Sequence, residues 1–437
     1  MAQEMEVHPV LNTLRFGSFG PQVELLQLGL QRAGYLRLPP DGVFGPLTRA
    51  ALLRFQRENG LTADGIAGPL TWAALNPWLI GSKTVTVRSG DTLYKLATAN
   101  GVSLRAVETA NPGVDPLALQ PGQTLTIPLP FEVVPDNIRF TSTVLRLVFQ
   151  GLRARYPFLA VDSIGDSVLG TPLYMMKIGS GPNQVFYNGA HHANEWITSP
   201  LLAQFLERYA AAYATGGQIG GYDAGELYRK STLFLVPMVN PDGVDLVTGE
   251  IGPGNPYYFT ALALNGGLAG FPSDWKANIN GVDLNLQYPA GWEEAKEIKF
   301  AQGYTRPGPR DYVGQAPLSQ PESRAVYDFT MANNFALTMS YHTQGEVIYW
   351  KYLDQAPPRG EEIGRRLSQL SGYALEDTPP GSAYAGYKDW FIKQFNRPGY
   401  TIEAGSGTNP LPLSQLPEIY NDNVGMLSYG LTATAAG

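Results

Sequence analysis

The chain of 437 residues has no cysteine at all. That excludes disulfides, thiolate metal sites and thiol nucleophiles together. Histidine is nearly as scarce: His8, His191, His192 and His342 are the whole supply of four. Any metal centre must therefore be built from imidazoles and carboxylates. No apolar run approaches the ~20 residues that a membrane span needs, so no transmembrane segment is expected. No Lys/Arg stripe stands out and the net charge is −7, which argues against a nucleic-acid partner. Apolar residues are plentiful, at 44%, together with 49 glycines and 35 prolines. This is a globular chain with many fixed turns, long enough for two or three domains.

The first 80 residues carry an internal repeat. DGVFGPLTRAAL (41–52) returns as DGIAGPLTWAAL (64–75), identical at nine of twelve positions. In each copy Asp-Gly makes a turn and Gly-Pro opens a helix. Before them, residues 21–34 place Val23, Leu26, Leu30 and Ala33 in one helical stripe, and Ala51, Leu52 and Phe55 form another. The pattern predicts a small all-α three-helix bundle over residues 1–80. The doubled D-G-x-x-G-P-x-T signature resembles the peptidoglycan-binding domain of bacterial cell-wall hydrolases.

Residues 81–130 read differently. Val85 and Val87 alternate with polar residues as in a strand, and Ser89-Gly90-Asp91 turns the chain into a helix that Asn100-Gly101 ends. Ser103 can cap a second helix, Asn111-Pro112-Gly113 breaks it, and QTLTIP supplies a closing strand. This βααβ order, with its SGDTL and PGQ motifs, resembles a LysM domain. The resemblance implies binding of N-acetylglucosamine-containing glycans such as peptidoglycan.

From residue 131 to 437, short apolar runs (QVFYNGA, STLFLVPMV, FALTMSY, GYTIEAG) alternate with helical patterns. They predict an α/β domain, a mixed twisted sheet covered by helices. Three of these runs end in chemically active residues. His191 and His192 follow the first, with Glu195 close behind; His342 ends another and Glu403 a third. In open α/β sheets, ligands bind at the carboxyl ends of strands. Two imidazoles and one carboxylate with a fourth position open are a ligand set of catalytic zinc, which lowers the pKa of water towards ~7. A further carboxylate, off the metal, is needed to move protons, and Glu403 suits that task. Spacing alone does not choose between His191 and His192.

The region from about 135 onward resembles the zinc carboxypeptidase A family. The residues that carry the likeness are His192-x-x-Glu195 followed by Trp196, VNPDG (239–243), GVDLN (281–285), YH (341–342) and TIE (401–403). The resemblance implies one Zn2+ in the catalytic domain, held by His192, Glu195 and His342, with Glu403 as general base and His191 in a supporting role. It also shows departures, because the family's arginines are replaced by Asn194, Lys276 and Leu286. Lys276 can still polarise the scissile carbonyl and stabilise the oxyanion. Leu286 offers a substrate carboxylate no donor, and losing one partner of a buried charged pair costs about 2–5 kcal/mol. Asn285 and Asn194 remain as substrate-binding candidates. The family's mobile tyrosine falls on Tyr384 or Tyr387, with Tyr384 the better placed. The Gly- and Pro-rich insert at 246–274 either shapes access or caps the sheet.

Within that family, DWKANINGVDLNLQYPAGWE beside two wall-binding modules is similar to γ-D-glutamyl-L-diamino acid endopeptidases. This implies peptidoglycan glycan strands and stem peptides as partners. It also implies hydrolysis of the γ-D-glutamyl bond to diaminopimelate or lysine. Two other readings stay open: a carboxypeptidase for ordinary peptides, and a non-catalytic wall-binding protein. The opening MAQEMEVHPVLNTL shows no secretory signal. The expected location is the cytoplasm, as in a sporulating cell, or the wall by non-standard export.

Overall fold

A computed structural model describes residues 11–433. His8 lies outside the described residues. Helices Pro21–Arg32, Pro46–Glu58 and Pro69–Ile80 each start on a proline that follows a glycine. Proline suits the first helical position, where its missing N–H has no partner to lose. The expected stripes form the bundle core, with Val23, Leu26, Leu30, Leu52 and Phe55 fully buried. Ala33, expected in the same stripe, is only half-buried.

The repeat encodes a polar cassette rather than a turn alone. Gln27 donates to Asp41 Oδ1 (2.7 Å) and Thr48 Oγ1 (3.0 Å) while accepting from Gly42 N (2.9 Å). Gln56 repeats this with Asp64 Oδ1 (3.0 Å), Thr71 Oγ1 (3.2 Å) and Gly65 N (2.9 Å). Each buried amide is thus satisfied by the turn it stabilises.

Strands Ser82–Thr86 and Thr124–Pro128 pair antiparallel around helices Leu93–Ala99 and Leu104–Ala110. Thr92 and Ser103 cap the two helices through their side-chain oxygens. The remainder folds around an eight-stranded mixed sheet. Its centre is parallel and runs in the order Gly399–Glu403, Leu337–His342, Asn183–Gly189, Ser231–Val236. Antiparallel strands flank this centre on both sides. Helices Thr198–Thr215 and Leu416–Thr432 cover one face; Pro321–Met331 and Tyr387–Phe395 cover the other. Among the described residues, no helix is long and apolar enough to cross a membrane.

The N-terminal modules are fused to this domain rather than strung beside it. Bundle residues such as Leu75 and Leu79 share one hydrophobic core with Val133, Val148 and Leu152. The buried Arg155 guanidinium donates to the carbonyls of Phe131 (2.8 Å), Gly81 (2.9 Å) and Leu129 (2.9 Å). Glu207 accepts from Val133 N (2.6 Å) and Val134 N (2.8 Å). At Gly151, on helix Ser142–Arg155, an added Cβ would collide with the Ile80 carbonyl oxygen. Gly151→Ala is therefore expected to cost about 1–3 kcal/mol, the usual range for overpacking. Denaturant titration checks this; an unchanged unfolding midpoint would show that the bundle is not seated so closely.

Candidate metal centre and cleft

The turn after the Asn183–Gly189 strand is pinned on all sides. Val239 N and Asn240 N donate to Gly189 O and Ala190 O, both at 3.0 Å. Asn240 Nδ2 donates to His191 O (3.1 Å) and Ala277 O (3.0 Å), and Ala193 N donates to Lys276 O (3.0 Å). This is the structural work of the VNPDG segment. Residues Ala193–Glu195 make one 3-10 turn, and the following α-helix starts at Thr198.

The turn sends its two imidazoles in different directions. His191 is fully buried, with Nε2 2.9 Å from the Tyr288 hydroxyl. Burial, together with the neighbouring His342 and His192, keeps it well below the usual histidine range and hence neutral. His192 Nδ1 instead lies 2.9 Å from Glu195 Oε1 and 3.0 Å from His342 Nδ1, which is itself 2.9 Å from Glu195 Oε2. Ligand atoms of His192, Glu195 and His342 all fall within 4.8 Å of one another, and all three residues are buried.

This cluster suits a cation. Burial alone would raise Glu195, but His192 and His342 outweigh it and hold the carboxyl well below its usual range. Burial disfavours charge on His192, yet Glu195 and Asp283 lift it to about 9. Burial keeps His342 below its usual value. One positive charge is thus held between two rings and two carboxylates. Zinc ligands at 2.0–2.1 Å from the metal sit roughly 3.3 Å apart in a tetrahedron, so the observed spacings need only small adjustment.

Asp283, from the GVDLN segment, is a member of the site that sequence reasoning missed. Its Oδ1 lies 3.1 Å from His192 Nε2 and its Oδ2 3.6 Å from Lys276 Nζ. Fully buried, it is placed to accept the Nε2 proton of His192, so that loss of the other proton to a bound cation would leave Nδ1 as the ligand atom. Burial works against the Lys276 charge, but Asp283 and Glu195 outweigh it and raise its pKa.

Two recesses meet at His192, Lys276, Tyr349 and Glu403. The inner one also carries Asn285, Leu286 and Thr401, the outer one Asn194, Asn265 and Asp274. The 246–274 insert therefore borders the cleft. Burial pushes Glu403 up to about 8, with Glu195 adding to the shift. Asn285 Oδ1 accepts from Tyr387 N at 3.0 Å, which leaves its Nδ2 as the donor for a ligand. Asn194 Oδ1 is buried with no hydrogen-bond partner among the described residues.

Neither candidate tyrosine lines either recess. Tyr384 packs half-buried against the cluster of Leu286, Trp292 and Val313, and it borders neither recess. Tyr387 is buried, its hydroxyl 3.0 Å from Thr330 Oγ1. The phenol at the cleft is Tyr349, on a three-residue strand antiparallel to Gly399–Glu403. That strand is too short to show a periodic signal in the sequence.

The chain belongs to the zinc carboxypeptidase family, whose model matches residues 146–425. Residues 19–75 match a peptidoglycan binding domain and residues 85–128 a LysM domain. The chain is 46% identical over 280 residues to γ-D-glutamyl-L-diamino acid endopeptidase 1 of Lysinibacillus sphaericus, covering 64% of this chain and 69% of that protein. It is 26% identical over 261 residues to bovine carboxypeptidase B, covering 55% and 57% of the two chains. Two solved structures share the fold. Carboxypeptidase A from Helicoverpa armigera has a TM-score of 0.52 at 18% identity, covering 79% of this chain and 80% of that one. Bovine thrombin-activatable fibrinolysis inhibitor has 0.51 at 19%, covering 67% and 96%.

Asp283→Ala is expected to weaken zinc affinity by about 10–100-fold, as for other outer-sphere carboxylates. Competition with a chromogenic chelator measures it. Unchanged affinity would mean that Asp283 serves Lys276 alone.

Proposed function

We propose that this protein hydrolyses the γ-D-glutamyl bond to the diamino acid in peptidoglycan stem peptides. The observation that carries the reading is the 46% identity to an enzyme of that name, on a chain whose His192, Glu195 and His342 cluster beside Glu403. Bound once per catalytic domain by those three ligands, zinc supplies the Lewis acidity that lowers the pKa of water towards roughly 7.

The chain's own residues then divide the work. Asp283 keeps the His192 ring in one tautomer. Glu403 takes a proton from the attacking water and delivers it to the leaving amine nitrogen. Lys276, oriented by Asp283, faces the oxyanion that develops on the scissile carbonyl. Asn285 Nδ2 and Asn194 Oδ1 offer one donor and one acceptor to the peptide on either side, and Tyr349 takes the position first given to Tyr384. Leu286 leaves that wall without a grip for an α-carboxylate, as suits an acyl donor joined through a side-chain carbonyl. The two wall-binding modules hold glycan strands and raise the local concentration of stem peptide.

Mass spectrometry of defined muropeptides tests this. The wild type should break the bond after D-glutamate, and Glu403→Gln should lower kcat by about 10²–10⁴-fold while retaining zinc. Trimming of plain L-peptides with muropeptides left intact would instead identify an ordinary carboxypeptidase. A protein without zinc that leaves both substrates uncut would be a non-catalytic wall binder.

A further inference from the structure

The inner recess contains two ion pairs that the mechanism leaves unused, Lys299 with Asp311 (2.8 Å) and the more deeply buried Lys388 with Asp389. Lys388 and Asp389 stand in the first turn of helix Tyr387–Phe395, and both line the recess that also holds His192 and Glu403. Each is only 3% exposed. Burying two charges is costly, and an apolar pair would do as well or better for stability. Their presence in a substrate recess calls for a ligand that needs them.

The two groups lie side by side, with Lys388 Nζ 2.5 Å from Asp389 Oδ1. Lys388 also donates to Lys351 O (2.6 Å) and to the Thr378 hydroxyl (3.0 Å). The contact with Asp389 lacks hydrogen-bond geometry, so Oδ1 is buried without a hydrogen-bonding partner among the described residues. Asp389 Oδ2 faces Gly386, where an added Cβ would approach to 2.7 Å. Gly386 lines the same recess. Helix and cleft are tied together, since Tyr387 N bonds to Asn285 Oδ1.

We infer that Lys388 and Asp389 recognise a zwitterion, an ammonium and a carboxylate on one carbon at the far end of the leaving residue's side chain. This rests on the proposed function and selects between its two diamino acids. Diaminopimelate ends in such a carbon; lysine ends in an ammonium alone. The distal carboxylate of diaminopimelate meets Lys388, taking the place of the neutral Thr378 hydroxyl, and its ammonium meets Asp389. A lysine side chain could offer its ammonium to Asp389, but it brings Lys388 a like charge and no carboxylate.

The test compares kcat/KM for three tripeptides with the zinc-loaded wild type. They are L-Ala-γ-D-Glu-diaminopimelate, its L-lysine counterpart, and the diaminopimelate peptide with its distal carboxylate amidated. The unmodified diaminopimelate peptide should lead both others by about 30-fold, equivalent to roughly 2 kcal/mol. In Lys388→Met that ratio should fall towards one, with zinc content and thermal unfolding reporting on its fold. Should the variant fail to fold, the amidated peptide on the wild type decides alone. Rates for the three peptides within about threefold of one another overturn the assignment of the pair and leave the proposed reaction standing. Cleavage of none of them overturns the proposed reaction and the assignment with it.

Discussion

Across the parallel centre of the sheet, His342 sits in register with Glu403, and Tyr341 with Gly189, one residue before the turn that carries the paired histidines. This level ending of three adjacent strands is the constraint on which the site depends. Side chains alternate along a strand, so a slip of one residue would carry His342 and Glu403 to the opposite face. The pattern of the strands guards against such a slip. Leu337, Met339 and Tyr341 join the large core beneath helices Thr198–Thr215 and Leu416–Thr432. Their alternates grow more polar towards the cleft, from Thr338 to Ser340 to His342. Ser340 Oγ donates to Asn188 Oδ1 (2.9 Å), locking the register one step below the site.

What the strands bring together, charge keeps together. Glu195 and Asp283 are both buried, and their negative charge demands compensation between the imidazoles. Asp283 spans the two halves of the chemistry, holding His192 on one oxygen and Lys276 on the other. Glu403 differs in kind. Burial and the charge of Glu195 disfavour its ionised form, which suits a group that must both take and return a proton.

Much of this was legible in the sequence, for identifiable reasons. Gly-Pro helix starts, Asn-Gly stops and apolar runs of strand length are local signals, and they located the bundle helices, the LysM elements and the ends of the central strands. The His-x-x-Glu spacing and the two distant strand ends named the residues that the fold draws into one cluster. Other members leave no local trace. Asp283 acts through a contact 91 positions from its partner His192, and only the assembled turn shows it. Tyr349, which lines both recesses, escaped notice because a three-residue strand has no period to read. Gln27 and Gln56 lie outside the repeated motif, although the motif's Asp and Thr exist to serve them. The seating of Arg155 and Glu207 between modules is likewise a property of packing, since neither residue differs in sequence from an ordinary surface charge.

The shared hydrophobic core fixes the cleft at a set position relative to the N-terminal bundle. All of this presupposes that His192, Glu195 and His342 hold one ion. Zinc content after exhaustive dialysis, compared between the wild type and His342→Ala, tests that most directly. One zinc per chain in the wild type and its loss from the variant is the expected result. A variant that keeps its zinc would contradict a centre built from these three side chains.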